Sequence, residues 1–355
     1  MSGAVEQVIA GWDGEDVLLR YDRPTGAWIV IAVHSMARGP AGGGTRMKAY
    51  PSLAATVEDA TRLAQAMTLK WALSQLPFGG GKTVISVPGP LDTEARRGLL
   101  TRYGELLASL RGRVVTGPDV GTSPADMDVI HTTGAPHVFA RTPAAGGAGD
   151  SGPPTAIGVF AAIETTCETL FGDPSPRGKS VVVQGAGSVG ERLIALLREA
   201  GADVAFSEVA PQRIHHFRDG LGLRFVAPEH LWFTACDILA PCALGGVLTP
   251  GTIAALRCRA VVGSANNQLA SPQDAALLRD RGILFAPDYV TSLGGSMAIV
   301  GQEMLGWSAI QAEAKVRETV ATTLAEVYAR AERTGQLTTE AAMAIAAERT
   351  TAVSK

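Results

Sequence analysis

The chain has 355 residues, 46% of them hydrophobic and 18% charged, which is apolar material for two domains of ordinary size and far from the profile of a disordered chain. Its 31 Lys and Arg against 34 Asp and Glu give a net charge of −3, so no overall field draws it to phosphate backbones or anionic lipid, and nucleic acid and membrane partners are not expected. Apolar runs such as 27–33 and 180–183 fall short of the ~18 residues of a membrane span, MSGAVEQ is no basic leader, and Cys167, Cys236, Cys242 and Cys258 lack disulfide or metal spacing, which fits reduced thiols in the cytoplasm and no metal.

In chain order, 17–20 and 27–34 read as strands, being short, apolar and β-branched. Residues 52–76 carry apolar side chains at 53, 57, 60, 63, 64, 67 and 71, the spacing of a long amphipathic helix. A β-branched strand at 83–87, a helix over 92–110 and a strand at 114–116 follow. In GPDVGTSPADMD, Ser123 as N-cap, Pro124 in the first turn and Asp126 as an early acid announce another helix. The stretch 142–154, rich in Gly, Ala and Pro and nearly uncharged, reads as a boundary or hinge.

Beyond it the rhythm changes. Helices at 155–171, 188–200, 211–219, 249–256 and 272–280 alternate with strands at 180–184, 203–207, 223–226, 236–239, 260–263 and 283–286, as in a parallel, doubly wound sheet. Two Ala-, Glu- and Arg-rich helices close the chain at 306–335 and 339–349, and no internal repeat is visible. The expected fold class is α/β in two domains: 1–145 as the substrate and catalytic domain and 150–327 as a Rossmann nucleotide domain, with helices in 328–355 packing back on the first.

Two constellations carry chemistry. VVVQGAGSVGERL places Gly185, Gly187 and Gly190, with Ser188 and Val189 between them, in GxGxxG spacing after a strand and at a helix start. The first glycine makes the turn, the second admits a pyrophosphate to the backbone and helix N-terminus, and the third lets helix and strand pack. Glu208, 23 residues after Gly185, ends the next strand, where a carboxylate binds adenosine ribose hydroxyls; it makes a glycine turn without a nucleotide the weaker reading and favours NAD. Earlier, Lys70 in AMTLKWAL, Lys82 after Gly79, Gly80 and Gly81, and Asp119 in GPDVG set three charges in glycine and apolar surroundings. A lone lysine at a helix edge is ordinarily a solvated, snorkelling group. Partly desolvated beside another cation, a lysine loses proton affinity and can act as a base near neutral pH.

The series GPAGGGTRM, MTLKWA, FGGGKTVI, GPDVGTSPADMDVIH, TAIGVF, VVVQGAGSVG, DILAPCALGG, VVGSANNQL and APDYV resembles, from about residue 36 to 305, the Glu/Leu/Phe/Val dehydrogenase family, and within it the leucine, valine and phenylalanine dehydrogenases. The resemblance implies an NAD-dependent L-amino acid dehydrogenase, interconverting an amino acid with a 2-oxo acid and ammonia in a cleft between a dimerisation-type catalytic domain and the Rossmann domain. It implies that Lys70 binds the substrate carboxylate with the backbone around Gly43 and Gly44, that Met67 and Pro118 line the substrate, that Lys82 activates the water attacking the iminium carbon, and that Asp119 handles the amino proton. Thr155, Cys242, Ala243 and Leu244 match the nicotinamide environment, Cys242 as packing and not as nucleophile; Asn266 and Asn267 match the loop beside the ribose. It also implies a homo-oligomer, for which the apolar strand 27–33 is a candidate contact.

Two departures bear on substrate. Ser292-Leu293-Gly294-Gly295 stands where the family usually reads NAGG, in a loop near the substrate, and Gly42 replaces the leucine of leucine dehydrogenases and the lysine of glutamate-specific members. The pocket is therefore expected to be neutral and larger, taking a hydrophobic, bulky or aromatic side chain. A specialised biosynthetic relative reducing an unusual 2-oxo acid or imine is an alternative raised by the Ser292 loop. A catalytically silent NAD-binding regulator is another, against which the intact Lys70, Lys82 and Asp119 count.

Overall fold

The computed structural model describes residues 2–351. The chain forms two compact units, one of residues up to Gly149 with Ile299–Trp307 and the residues from Ala346, the other of Asp150–Ala298 and Ser308–Ile345. Residues 352–355, the end of the segment read above as packing back, lie outside the described residues.

The first unit runs α1 (Ser2–Ala10), β1 (Asp16–Asp22), β2 (Ala27–Ser35), β3 (Ala41–Lys48), α2 (Leu53–Ser74), β4 (Gly79–Ser86), α3 (Thr93–Ser109), β5 (Val114–Pro118) and α4 (Pro124–Gly134). Its sheet has the order β1-β2-β4-β3-β5; β2 is antiparallel to β1 and β4, and β3 is parallel to β4 and β5. The apolar run of β2 reflects two covered faces. Val30 and Ala32, with Val84 of β4, meet Val57, Ala60 and Ala64 of α2. Ile29, Ile31 and Val33 meet Leu99, Leu100 and Tyr103 of α3 and Met127 and Ile130 of α4 on the other side. The expectation that 27–33 is an oligomer contact is thereby corrected: β2 is an interior strand with every residue from Ala27 to Val33 except half-buried Trp28 buried. The strand at that edge of the sheet is β1, with exposed Leu19 and Tyr21, and β5 lies at the other.

Strand β3 and the glycines of β4 were not legible as strand, because glycine is depleted there and carries no alternation. The structure shows what the glycines do. A Cβ at Gly80 would lie 1.9 Å from Thr68 Oγ1 and 2.5 Å from the Ala64 carbonyl of α2; one at Gly43 would lie 1.9 Å from the Gly81 carbonyl. Helix α2 and strands β3 and β4 thus approach closer than side chains allow. Ser52 caps α2 by accepting from Ala55 N, and Ser123 with Asp126 forms the capping box that starts α4.

The second unit runs α5 (Gly152–Phe171), β6 (Ser180–Gln184), α6 (Ser188–Glu199), β7 (Asp203–Ser207), α7 (Pro211–His215), β8 (Arg224–Phe225), β9 (Ile238–Pro241), α8 (Pro250–Ala255), β10 (Ala260–Val261), α9 (Asp274–Asp280), β11 (Leu284–Phe285) and α10 (Asp288–Thr291). After it come α11 (Leu293–Met304), α12 (Ala309–Thr334) and α13 (Thr338–Thr351), of which α11 and α13 begin in the second unit and end in the first. All six strands are parallel in the order β11-β10-β9-β6-β7-β8, which reverses direction between β6 and β9, the doubly wound dinucleotide topology. The SLGG segment, read as a loop, opens α11. A Cβ at Gly294 would meet the Pro154 carbonyl at 2.2 Å, so the segment is glycine-rich for packing against the start of α5. Among the described residues no helix is long and apolar enough to cross a membrane.

Substituting Gly80 by Ala should destabilise the chain by about 1–3 kcal/mol, since the methyl must push α2 off β4. Gly89→Ala, with nothing within 4 Å of its Cβ, should be near neutral. Paired thermal unfolding measures the contrast, and equal midpoints would refute the close-approach reading.

Candidate functional site

The glycine-lined face of the first sheet carries a buried lysine. Lys82 follows Gly80 by two residues on β4 and so projects to the same side as α2. It is 6% exposed, and its Nζ lies 3.0 Å from Asp119 Oδ2, just beyond the end of β5. The same Oδ2 accepts a hydrogen bond from Arg46 Nε of β3 at 2.8 Å. Arg46 Nη1 donates to Asp59 Oδ2 on α2 at 2.9 Å, and Asp59 also accepts from Tyr50 OH at 2.5 Å and Arg62 Nη2 at 2.7 Å. Sequence reasoning brought out Lys82 and Asp119 and missed Arg46, Asp59 and Tyr50. Their signal was faint: Arg46 stands two residues after Gly44, on one strand face with it, but only once β3 is known to be a strand.

Burial pushes Lys82 below the ordinary lysine value; the carboxylate of Asp119 opposes the shift and the Arg46 guanidinium adds to it. Arg46, which the sequence did not single out, is thus a cation acting on Lys82. Burial works against the charge of Asp119, but Lys82 and then Arg46 outweigh it and hold its carboxyl below the usual range. An ammonium with reduced proton affinity in contact with a firmly ionised carboxylate is suited to bind a charged amine and to exchange protons.

Lys70 and Met67 lie half-buried on α2. Gly42, Gly43 and Gly44 lie on β3, beside Val115, Thr116 and Gly117 of β5. A Cβ at Gly44 would come within 2.6 Å of the Pro118 carbonyl and 2.9 Å of the Asp119 Cβ, so Gly44 and Pro118 pack directly under the acid. Beside Gly42 the structure has the indole of buried Trp71, which donates to the Gly42 carbonyl at 2.8 Å. A Cβ there would stand 2.9 Å from Trp71 Nε1, so a larger residue first displaces an aromatic wall instead of filling empty volume.

In the second unit the glycine motif lies at the carboxyl end of β6. Gly185 has φ +87°, the Cβ side of Gly187 is open, and a Cβ at Gly190 would sit 1.9 Å from the Gly185 carbonyl. Turn, open approach and close packing therefore fall on the three positions as a dinucleotide requires, and the fit to a nicotinamide cofactor is good. Ser188, exposed at the first turn of α6, donates to Asp150, and half-buried Val189 follows. Glu208 accepts from the backbone N–H of Ala186 at 2.9 Å, Val209 at 2.7 Å and Ala210 at 3.1 Å. Desolvation opposes its charge, yet these donors and Arg213 hold it below the usual glutamate value. Arg213 Nη1 donates to the Ala186 carbonyl at 2.5 Å.

Across the topological switch, the loop after β9 presents Cys242, Ala243 and Leu244. Ala243 and Leu244 are exposed, and the Ala243 Cβ stands where a side chain at Gly185 would fall. Burial pushes the Cys242 thiol up, so it is a poor nucleophile, and it bonds with Ser264. Exposed Asn266 and Asn267 are in the loop after β10; Asn267 N donates to Asp288 Oδ2 at 2.8 Å. Thr155 on α5 donates to the Ser151 carbonyl at 2.7 Å. Ser292, between α10 and α11, is buried, and its hydroxyl has no hydrogen-bond partner among the described residues. No group of three His, Cys, Asp or Glu able to hold a metal ion occurs among them.

Comparison with known proteins agrees across both units. Residues 24–135 match the family model described as Glu/Leu/Phe/Val dehydrogenase, dimerisation domain, and residues 208–355 the model described as Glutamate/Leucine/Phenylalanine/Valine dehydrogenase. A valine dehydrogenase of Streptomyces virginiae is 41% identical over 343 residues, 94% of this chain and 93% of that protein. A leucine dehydrogenase of Geobacillus stearothermophilus is 37% identical over 338 residues, 95% and 91%. Among solved structures, L-tryptophan dehydrogenase from Nostoc punctiforme superposes with a TM-score of 0.87 at 32% identity over 99% of both chains.

The charge network also sets a pH dependence. Burial opposes the Asp59 charge, but the hydrogen bonds from Tyr50, Arg62 and Arg46 hold its carboxyl at about 2, against ~3.9 in an unfolded chain. A depressed folded value contributes stability above pH ~4 that is lost as pH falls towards 2, here about 2 kcal/mol. Unfolding midpoints measured from pH 5 to pH 2 should fall, and Asp59→Asn should flatten that fall; parallel curves would show the carboxylate to be unperturbed.

Proposed function

The chain belongs to the Glu/Leu/Phe/Val dehydrogenase family of amino acid dehydrogenases, which act on CH–NH2 groups with a nicotinamide cofactor, and from that premise we propose that it oxidises a hydrophobic, bulky or aromatic L-amino acid with NAD to the 2-oxo acid and ammonia, and runs the reverse reductive amination. The observation that carries the reading is Lys82, a buried lysine in contact with the ionised Asp119. A binding module has no use for so costly a pair.

In this reading Lys70 supplies the counter-charge for the substrate carboxylate, with Gly43 and Gly44 allowing close approach. Asp119 accepts the hydrogen bonds of the α-amino group. Lys82, short of its full proton affinity, takes a proton from the water that attacks the iminium carbon and returns it to the departing ammonia. Gly185, Gly187 and Gly190 would hold the pyrophosphate, Thr155 and the loop from Cys242 to Leu244 would flank the nicotinamide, and Asn266 and Asn267 the ribose. NAD, when bound, supplies the hydride acceptor.

The bulky side chain is supported by the likeness to a tryptophan dehydrogenase, the space beside Gly42 being filled by Trp71; the leucine and valine dehydrogenase relatives support a branched aliphatic one. NAD over NADP is supported by Glu208, whose charge repels a 2′-phosphate. A homo-oligomer is part of the proposal, and a similar structure is that of a hetero-hexameric glutamate dehydrogenase from Thermus thermophilus, 26% identical with a TM-score of 0.74 over 99% of this chain and 94% of that one.

An NADH-linked assay over a panel of 2-oxo acids with ammonia tests the reaction and ranks the side chains; no turnover on any would refute it. Lys82→Ala should lose at least about 100-fold in kcat with NADH affinity unchanged by fluorescence titration, while Lys70→Ala should chiefly raise KM for the amino acid. Near wild-type turnover by Lys82→Ala would remove the proposed mechanism. Catalytic efficiency should be at least about tenfold higher with NAD than with NADP, and equality would remove the role given to Glu208.

A further inference from the structure

The carboxylate of Asp119 is shared in an uneven way. Both of its ion pairs, to Lys82 and to Arg46, fall on Oδ2, and Oδ1 has no hydrogen-bond partner among the described residues. Arg46 can do this because its planar guanidinium is a fork: Nε reaches Asp119 while Nη1 reaches Asp59, 13 residues further along the chain on α2. Asp59 is itself fully committed, Oδ2 to Arg46 and Tyr50 and Oδ1 to Arg62. The result is one continuous chain from α2 through β3 to the end of β5 and β4, with Arg46 and Asp59 both mostly buried.

We propose that Arg46, anchored by Asp59, is a positioning residue for the reaction: it ties Asp119 by one carboxylate oxygen, turns the other towards the substrate amine, and keeps Lys82 from owning the carboxylate outright. The inference rests on the reading of Lys82 and Asp119 given above. A lysine in place of Arg46 could supply the charge but not the two-pronged bridge. Charged groups on the elements around Lys82 enter the balance. Asp119 after β5 and Asp59 on α2 favour its ammonium, Arg46 on β3 disfavours it, half-buried Lys70 shares α2 with Asp59, and the residue opposite Lys82 on β2 is uncharged Ala32. His34, the titratable group at the end of β2, is bonded to Asp13 and Thr68.

Two substitutions therefore pull in opposite directions, which a merely structural role would not produce. For oxidative deamination the rising limb of kcat against pH reports deprotonation of Lys82. Arg46→Gln, which removes a cation, should move that limb up by about half a pH unit or more, and Asp59→Asn, which removes an anion, should move it down. Arg46→Lys should leave the limb near the wild-type position while kcat still falls several-fold, because the bridge is lost. Steady-state profiles of the three variants, with NADH titration and thermal unfolding as checks on the intact fold, make the measurement. Limbs that stay put, or that move in the same direction, overturn the proposal; should Arg46→Gln not fold, an unmoved or rising limb in Asp59→Asn overturns it alone. Lys82→Ala separates the two readings: lost turnover with unmoved limbs removes only the role of Arg46, whereas retained turnover removes the base assignment and this proposal with it.

Discussion

The structure of the first unit depends on how close α2 comes to β4. With Gly80 beneath Thr68 and Ala64, helix backbone and strand backbone nearly touch, and water has no room between them. Any charged residue on that strand face must then be met by protein groups at its sides. Lys82 is such a residue, and its field is answered by Asp119, whose Oδ2 also accepts from Arg46, which in turn is paired with Asp59. Two carboxylates and two cations form an alternating row, and each member is fixed because its neighbours are. The burial of one ammonium thus dictates the identity of residues on three other elements.

Much of the second unit was legible because each signal was local. Alternating β-branched runs and amphipathic stretches gave its strands and helices nearly in place, and the GxGxxG segment gave the turn, since each glycine answers to a neighbour a few residues away. Limits came where an element is defined by what lies across from it. Strand β3 carries three glycines and no alternation, and only its pairing with β4 and β5 makes it a strand. The helix at 211–219 shortens to α7 followed by a wide turn at His216–Gly220, a hydrogen-bonding choice that composition does not encode.

The site was half legible for the same reason. Lys82 and Asp119 stand out because charge in a glycine-rich segment is unusual on its face. Arg46 and Asp59 sit in sequences that would suit any solvated surface, and their meaning exists only in the pairing of β3 with β5 and the packing of α2. Gly42 is the converse case: its smallness suggested space, but its smallness accommodates Trp71. A missing side chain in a sequence does not distinguish an empty pocket from a filled one.

Glu208 has a consequence for how this enzyme could change. Its carboxylate is the loop's own staple, gathering three backbone N–H groups from Ala186, Val209 and Ala210 around the end of β7. On the proposed reading, coenzyme choice and loop shape are written into one side chain, so an engineer who removes the charge to admit a phosphorylated ribose also unfastens the glycine turn. The freer handle is Arg213, a cation already resting on the Ala186 carbonyl. Redesign, or drift over generations, can recruit it by adjusting exposed Val209 and its surroundings while the staple stays closed.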